Sequence, residues 1–216
     1  MPVAGGFWYQ GCANVGNADG YEICFTNMIN GWREAWGNPT MPFYFVQLAG
    51  FMPPVTVQPE SEWAALRHAQ SKALALPYTG MATAIDLGNP VDIHPTNKAE
   101  VARRLAILAL DKTYGQPREC EAPRCVDVKR CDGYMELTFD GDIKASGGAV
   151  TGFIIKGDDG TWAYAGARLT SPRTLRLSSP LAAAPVAVRY NWADYPGGNL
   201  IGCVSGLPVL PFATDK

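Results

Sequence analysis

The chain has 216 residues, 47% of them apolar and 18% charged, against roughly a quarter charged in an average soluble domain, which describes a well-packed globular protein and excludes a disordered tail or a disulfide miniprotein. Eighteen Lys and Arg against twenty Asp and Glu give a net charge of −2, so no surplus of cations is left to neutralise phosphates and nucleic acid is not an expected partner. The longest apolar stretches, such as residues 42–51, fall far short of the ~20 residues of a membrane-spanning helix, so no membrane partner is expected, and no basic segment precedes a hydrophobic run at the N-terminus, so no signal peptide is read in this chain.

From Val3 to Gly115, strand-like runs alternate with helix-like runs, the pattern of a parallel sheet covered by helices. Residues 3–9 read as a short buried strand. Asp19 is placed to cap a helix in which Tyr21, Cys24, Phe25, Met28, Ile29 and Trp32 recur at helical spacing, ending near Gly37-Asn38-Pro39. Residues 43–49 (FYFVQLA) are almost continuously apolar, as in a strand buried on both faces. A loop with Pro53, Pro54 and Pro59 leads to a second helix over 60–76, with Trp63, Leu66, Ala69, Ala73 and Leu74 on one stripe. Residues 81–85 read as a third strand and 97–114 as a third helix, stopped by Gly115.

Beyond Pro117 the period becomes two, with short runs at 134–139, 152–155, 162–169, 174–177 and 186–192 separated by turn clusters such as Gly157-Asp158-Asp159-Gly160. The expected organisation is therefore an α/β domain over 1–117 and an all-β, sandwich-like module over 118–216. Three parallel strands are few for a doubly wound sheet, so the α/β part reads as incomplete. Its open edge calls for cover by the β module, by a second subunit as in a homo-oligomer, or by polypeptide outside this chain.

Six cysteines are too few for a disulfide scaffold at this length. Cys120, Cys125 and Cys131 cluster, but their spacing matches no common zinc site and no histidine lies near, so neither a metal nor another cofactor is expected; a local disulfide and buried free thiols both fit.

Histidine is the commonest general base near neutral pH, and the chain has two, His68 and His94. His68 falls inside the second helix, a structural context. His94 lies in the loop Asp86-Leu87-Gly88-Asn89-Pro90-Val91-Asp92-Ile93-His94-Pro95, past the third strand, at the edge where open α/β sheets bind ligands. Asp86 and Asp92 are both near enough in sequence to orient its imidazole; a capping role for Asp92 is the plainer alternative. The loop after the first strand, Tyr9-Gln10-Gly11-Cys12-Ala13-Asn14, leaves at the same edge, where Gln10, Asn14 and the backbone N–H groups around Gly11 are candidate oxyanion donors or plain turn residues.

The string WYQGCAN (Trp8 to Asn14) resembles the WYQGE(S/A)N block of bacterial sialate O-acetylesterases, relatives of the SGNH hydrolases. In the same order come GWREAWG (31–37), PFYFVQLAGF (42–51), WAALRHAQ (63–70), TGMATAIDLG (79–88), DIHPTNKAEVARRLA (92–106), VRYNWADYPGGNL (188–200) and GLPVLPFATD (206–215), spanning nearly the whole chain. The resemblance implies a partial SGNH, flavodoxin-like sheet and removal of acetyl groups from sialic acid or related sugars by a serine hydrolase route. It implies His94 as base, Asp92 as the orienting carboxylate with Asp86 the alternative, Gln10, Gly11 and Asn14 as oxyanion or substrate contacts, an acetylated carbohydrate as partner, and a secreted or periplasmic setting.

Two departures stand out. The family's nucleophile sits in a GQSN-like block upstream of WYQGE, and none of Ser61, Ser71, Ser146, Ser171, Ser178, Ser179 or Ser205 lies in a comparable strand-to-helix turn. Cys12 replaces the family's glutamate, which raises the idea of a surrogate thiol nucleophile. Three readings follow: an esterase, one piece of a larger esterase whose serine lies in an absent N-terminal segment, or a non-catalytic carbohydrate- or partner-binding protein using aromatics such as Trp8, Tyr9, Trp36, Trp192 and Tyr195.

Overall fold

The computed structural model describes residues 3–216. They pack as two compact units. One holds the chain up to Met52 together with Glu62–Cys120, and the other joins Pro53–Ser61 to Glu121–Lys216.

The first unit is built on β1 (Gly6–Trp8), α1 (Ala18–Ala35), β2 (Phe43–Gln47), α2 (Glu62–Lys72), β3 (Thr79–Thr83) and α3 (Lys98–Lys112). The three strands form a parallel sheet in the order β1-β2-β3, with Phe7 opposite Tyr44 and Phe45 opposite Met81. β2 is buried at every position, and its alternation explains why. Phe43 and Phe45 turn to α1, where Phe25 meets both edge-on at 6.2 and 5.0 Å and Trp32 meets Phe43 at 5.7 Å. Tyr44 and Val46 turn to the opposite face and pack with Ala82, Ala84, Val101, Leu105 and Leu108 under α3.

α1 buries Tyr21, Phe25, Ile29 and Arg33, one residue per turn. Its cap is Asn17, whose side chain accepts from Gly20 N–H at 3.2 Å, rather than Asp19; Asp19 sits in the first turn, where its charge favours the helix dipole. The second helix is shorter than its periodicity suggests and tightens into a 3-10 turn over Ala73–Ala75. α3 is capped by Asn97, which accepts from Glu100 N–H, and Gly115 at φ 63° follows its end.

The second unit is antiparallel. One four-stranded sheet runs β4 (Cys125–Cys131), β5 (Tyr134–Phe139), β10 (Thr174–Ser178), β9 (Gly166–Ser171); another runs β13 (Phe212–Ala213), β11 (Pro185–Tyr190), β7 (Phe153–Gly157), β8 (Trp162–Tyr164). β6 (Ile143–Ala145) and β12 (Leu200–Gly202) make a separate pair. Met135, Leu137, Phe139, Leu175 and Leu177 of the first sheet share one core with Phe153, Ile155, Val188 and Tyr190 of the second. The run read over 162–169 divides into β8 and β9 at the buried Ala165. β4, β6, β12 and β13 were not legible as runs: β4 is a half-exposed strand carrying Asp127, Lys129 and Arg130, and the other three span two or three residues each.

No disulfide joins any of the six cysteines; Cys120 is buried, and burial pushes the Cys125 thiol up to about 12. Among the described residues, no cluster of His, Cys, Asp and Glu is grouped to hold a metal, and no helix is long and apolar enough to cross a membrane.

Candidate active site

Parallel strands all point one way, so the segments that follow β1, β2 and β3 emerge at a single edge of the sheet. Those segments are the Gln10–Asn14 turn, the stretch from Leu48 to Met52, and the long loop from Ala84 to Asn97.

The first turn is tied down from below. Gln70, 1% exposed on α2, donates from its amide nitrogen to the Gln10 carbonyl at 3.1 Å and to Val46 at 3.3 Å, and its oxygen accepts from Leu48 N–H at 2.9 Å. Tyr21 O–H also donates to the Gln10 carbonyl. Gly11 sits over this amide at φ 150°, and a Cβ there would lie 3.1 Å from the Gln70 nitrogen and 3.4 Å from Leu48, so glycine is what permits the close approach. Gln10 donates to Asn14 Oδ1 at 2.7 Å, which leaves the Asn14 amide presenting Nδ2 as a donor.

The third loop approaches the second closely. A Cβ at Gly88 would collide with the carbonyl and backbone nitrogen of Gly50, so the two loops touch through bare backbone. Beneath them Gln47, 1% exposed, accepts from Thr83 Oγ1 at 3.0 Å and donates to the Arg67 carbonyl, while Arg67, fully buried, donates to Ala49.

His94 and Asp92 come together. The Asp92 carboxylate lies 3.4 Å from His94 Nδ1 and accepts from His94 N–H at 2.8 Å, while α3 takes its cap from Asn97. With Nδ1 facing a carboxylate, Nε2 is the nitrogen left to accept a proton. The imidazole is open, with 85% of its side chain exposed.

Asp86 stands elsewhere in the arrangement. Arg104, 6% exposed, grips its carboxylate with two bonds of 2.7 and 2.8 Å, donates to the Thr83 carbonyl at 2.7 Å, and reaches Glu100 at 2.8 Å. Asp86 thus anchors the root of the His94 loop through Arg104.

Hydrogen bonds from Arg103, helped by Arg104 and opposed by desolvation, hold the Glu100 carboxyl at about 2. Its folded value lies below the ordinary carboxylate value of about 4.3, so the stability it contributes is complete above that pH and fades as pH falls toward 2. Between pH 6 and pH 3 the wild-type melting temperature is therefore expected to fall more than that of Glu100→Gln. Parallel melting curves in thermal denaturation monitored by circular dichroism would contradict this.

Cys12 is half-buried. Burial raises its thiol above the ordinary value, against a backbone hydrogen bond and the charge of Lys98, which is the reverse of the shift an activated thiolate needs. Lys98 also lies over the Tyr9 ring at 5.1 Å, so the start of α3 and the first turn are neighbours. His68 lies half-buried on α2, where desolvation and Lys72 lower its pKa. Ser71, which lies toward the far end of α2, donates to the His68 carbonyl at 2.6 Å. Gln70, Arg67 and Arg104 carry the site without having been singled out in the sequence. A polar or cationic residue on the apolar stripe of an amphipathic helix was the available signal.

The class defined by these features is an open α/β sheet whose loops converge at the strand C-termini, followed by an antiparallel β unit. The chain belongs to the carbohydrate esterase family of sialic acid-specific acetylesterases, whose model matches residues 2–110. A carbohydrate acetylesterase from Xanthomonas citri, known from its crystal structure, is 43% identical and superposes with a TM-score of 0.92 over 100% of this chain. This chain spans 51% of that protein's length. An S-layer protein at 10% identity, covering 91% of this chain and 21% of its own, superposes with a TM-score of only 0.32, too weak a likeness to inform the fold. No curated protein matches the chain.

Proposed function

We propose that the chain supplies the base and the oxyanion donors of an acetylesterase acting on O-acetylated sugars, sialic acid among them. The observation that carries this is the His94–Asp92 pair at the same sheet edge as the Gly11–Asn14 turn. Asp92 orients the imidazole and His94 Nε2 takes the proton of an attacking serine hydroxyl. The Gly11 N–H and Asn14 Nδ2 donate to the oxyanion that forms on the acetyl carbonyl. His94 then returns the proton to the departing sugar oxygen, and water releases acetate from the acyl-enzyme by the same steps in reverse order of partners.

In this reading the α/β unit, over 1–117, is part of an SGNH-type sheet that continues at the free side of β1, and the β module over 118–216 follows it. The serine comes from polypeptide outside the described residues. Of the two serines in 1–117, Ser61 donates to Asp194 and Ser71 sits toward the far end of α2, and the exposed imidazole of His94 is the face such a segment would cover. Cys12 remains a thiol and takes no covalent part. The non-catalytic alternative has less support from the aromatics: Trp192 is 5% exposed and Trp8 packs edge-on against Trp32 at 5.8 Å, leaving Trp36 and Tyr9 open and Tyr195 half-buried.

The test is a chimera in which this chain replaces the corresponding half of the Xanthomonas citri acetylesterase. Acetate release from O-acetylated sugars is expected above a blank protein, unchanged by Cys12→Ala. A folded chimera without acetate release would overturn the assignment, and loss of turnover in Cys12→Ala would overturn the role given to the thiol.

A further inference from the structure

The β unit holds a cavity of about 340 Å³ that the esterase reading does not use. Its lining draws on Pro54, Thr56 and Gln58, on Thr151 and Tyr164, and on the Asn191–Gly197 loop with Tyr195. No Lys, Arg, Asp or Glu is among its lining residues.

Its walls are held in place before any ligand arrives. Gln58 donates to Asp194 at 2.6 Å and accepts from Asp194 N–H at 3.1 Å, while Ser61 donates to the other Asp194 oxygen at 2.6 Å. Arg189 reaches the Pro59 carbonyl and is itself paired with Asp215 at 2.7 Å. Thr151 donates to the Gly197 carbonyl at 2.8 Å, and Asn191 accepts from Gly198 N–H at 2.7 Å. Asn191 does so at φ 52°, a left-handed backbone for a non-glycine residue, 3% exposed. Backbone held off its preferred region by such bonding is concentrated at binding sites, and rigid walls reduce the ordering cost of binding.

We propose that this cavity is a second carbohydrate site, taking one neutral pyranose ring. An aromatic face beside hydroxyl groups, with no ionised side chain, matches a ring that has an apolar C–H face and a neutral hydroxyl rim. Tyr164, 40% exposed, offers the face, and Thr56 with the tyrosine hydroxyls offers the polar partners. Asp194, just behind the lining, disfavours an anionic sugar. The proposal draws on membership of a carbohydrate-active family and not on the role of His94.

The experiment is a titration of the intact chain, followed by tyrosine and tryptophan fluorescence, with the methyl glycosides of glucose, galactose, mannose, xylose and N-acetylneuraminic acid. Saturable binding of at least one neutral glycoside is expected, weakened roughly tenfold in Tyr164→Ala. Tyr114→Ala removes a tyrosine of the α/β unit that is 60% exposed, and its affinity is expected to equal that of the wild type. No saturation by any neutral glycoside at about 100 mM, preference for the sialoside, or equal affinity in Tyr164→Ala would each overturn the proposal. Because binding is read without turnover, its failure is distinguishable from failure of the esterase reading.

Discussion

His94→Ala in the chimera is expected to lower the rate of acetyl-ester hydrolysis by about 10³- to 10⁴-fold with little change in KM, the size expected when a general base is lost while substrate contacts remain. Asp92→Asn is expected to lower kcat by a smaller factor, because the carboxylate orients the ring from a position 53% exposed to solvent. The two aspartates separate cleanly in this experiment. Asp86 is bound to Arg104 rather than to the imidazole, so Asp86→Asn is expected to lower the melting temperature while activity well below that temperature persists. Equal rates for wild type and His94→Ala would remove the histidine from the mechanism. A kcat collapse in Asp86→Asn at undiminished stability would transfer the orienting role to that residue.

Arg104→Met is expected to be the costliest single change to the α/β unit. The guanidinium is 6% exposed and holds Asp86, Glu100 and the Thr83 carbonyl together, so methionine replaces its volume but takes from Asp86 its paired cation, from the Thr83 carbonyl this donor, and leaves Glu100 to Arg103 alone. Breaking a buried pair by removing one partner typically costs 3–5 kcal/mol. With Asp86 itself 40% exposed the lower end applies, about 3 kcal/mol. For a chain of this size that corresponds to a fall of roughly 6–12 °C in Tm. A shift smaller than roughly 2 °C in differential scanning calorimetry would show the cluster to be solvated and energetically idle. Because Arg104 reaches both the end of β3 and α3, the same substitution is expected to loosen the loop that carries His94 and to lower kcat in the chimera.

The alternation of α/β units was legible because each strand and helix has its own period. Residues 43–49 read as doubly buried, and Phe43 and Phe45 turn to α1 while Tyr44 and Val46 turn to α3. Tyr134–Phe139 was legible for the converse reason, its side chains alternating between core and half-buried positions. The turn at Gln10–Asn14 and the loop carrying Asp92 and His94 were found from their place after strands, which depends on chain order alone. What could not be read was which aspartate faces which cation. Asp86 and Arg104 are 18 residues apart, and only the return of α3 along β3 joins them. Gln70 was invisible for a similar reason: a glutamine on a helix stripe looks like a surface residue until backbone groups of two separate segments, at Gln10 and at Val46 and Leu48, are seen to meet at its amide. The cap of α1 was misplaced by two residues because Asn17 and Asp19 are both good capping types, and only the geometry of Gly20 N–H selects between them. Strands of two or three residues, such as β12 and β13, have too few alternations to show a period.

The Pro53–Ser61 segment has a consequence for how the chain is made. It leaves the ribosome between the second strand and second helix of the α/β unit, yet the partners that fix it, Asp194 and Arg189, lie 136 and 130 residues further along. At roughly 5–20 residues per second, about 7–27 s pass before those partners exist. Within that interval α2, β3 and α3 are made and can join β1, α1 and β2, while this proline-bearing stretch waits as an open loop. Its ordering therefore waits for β11 and the loop after it, and the cavity it walls closes only once residues 189–194 have been made.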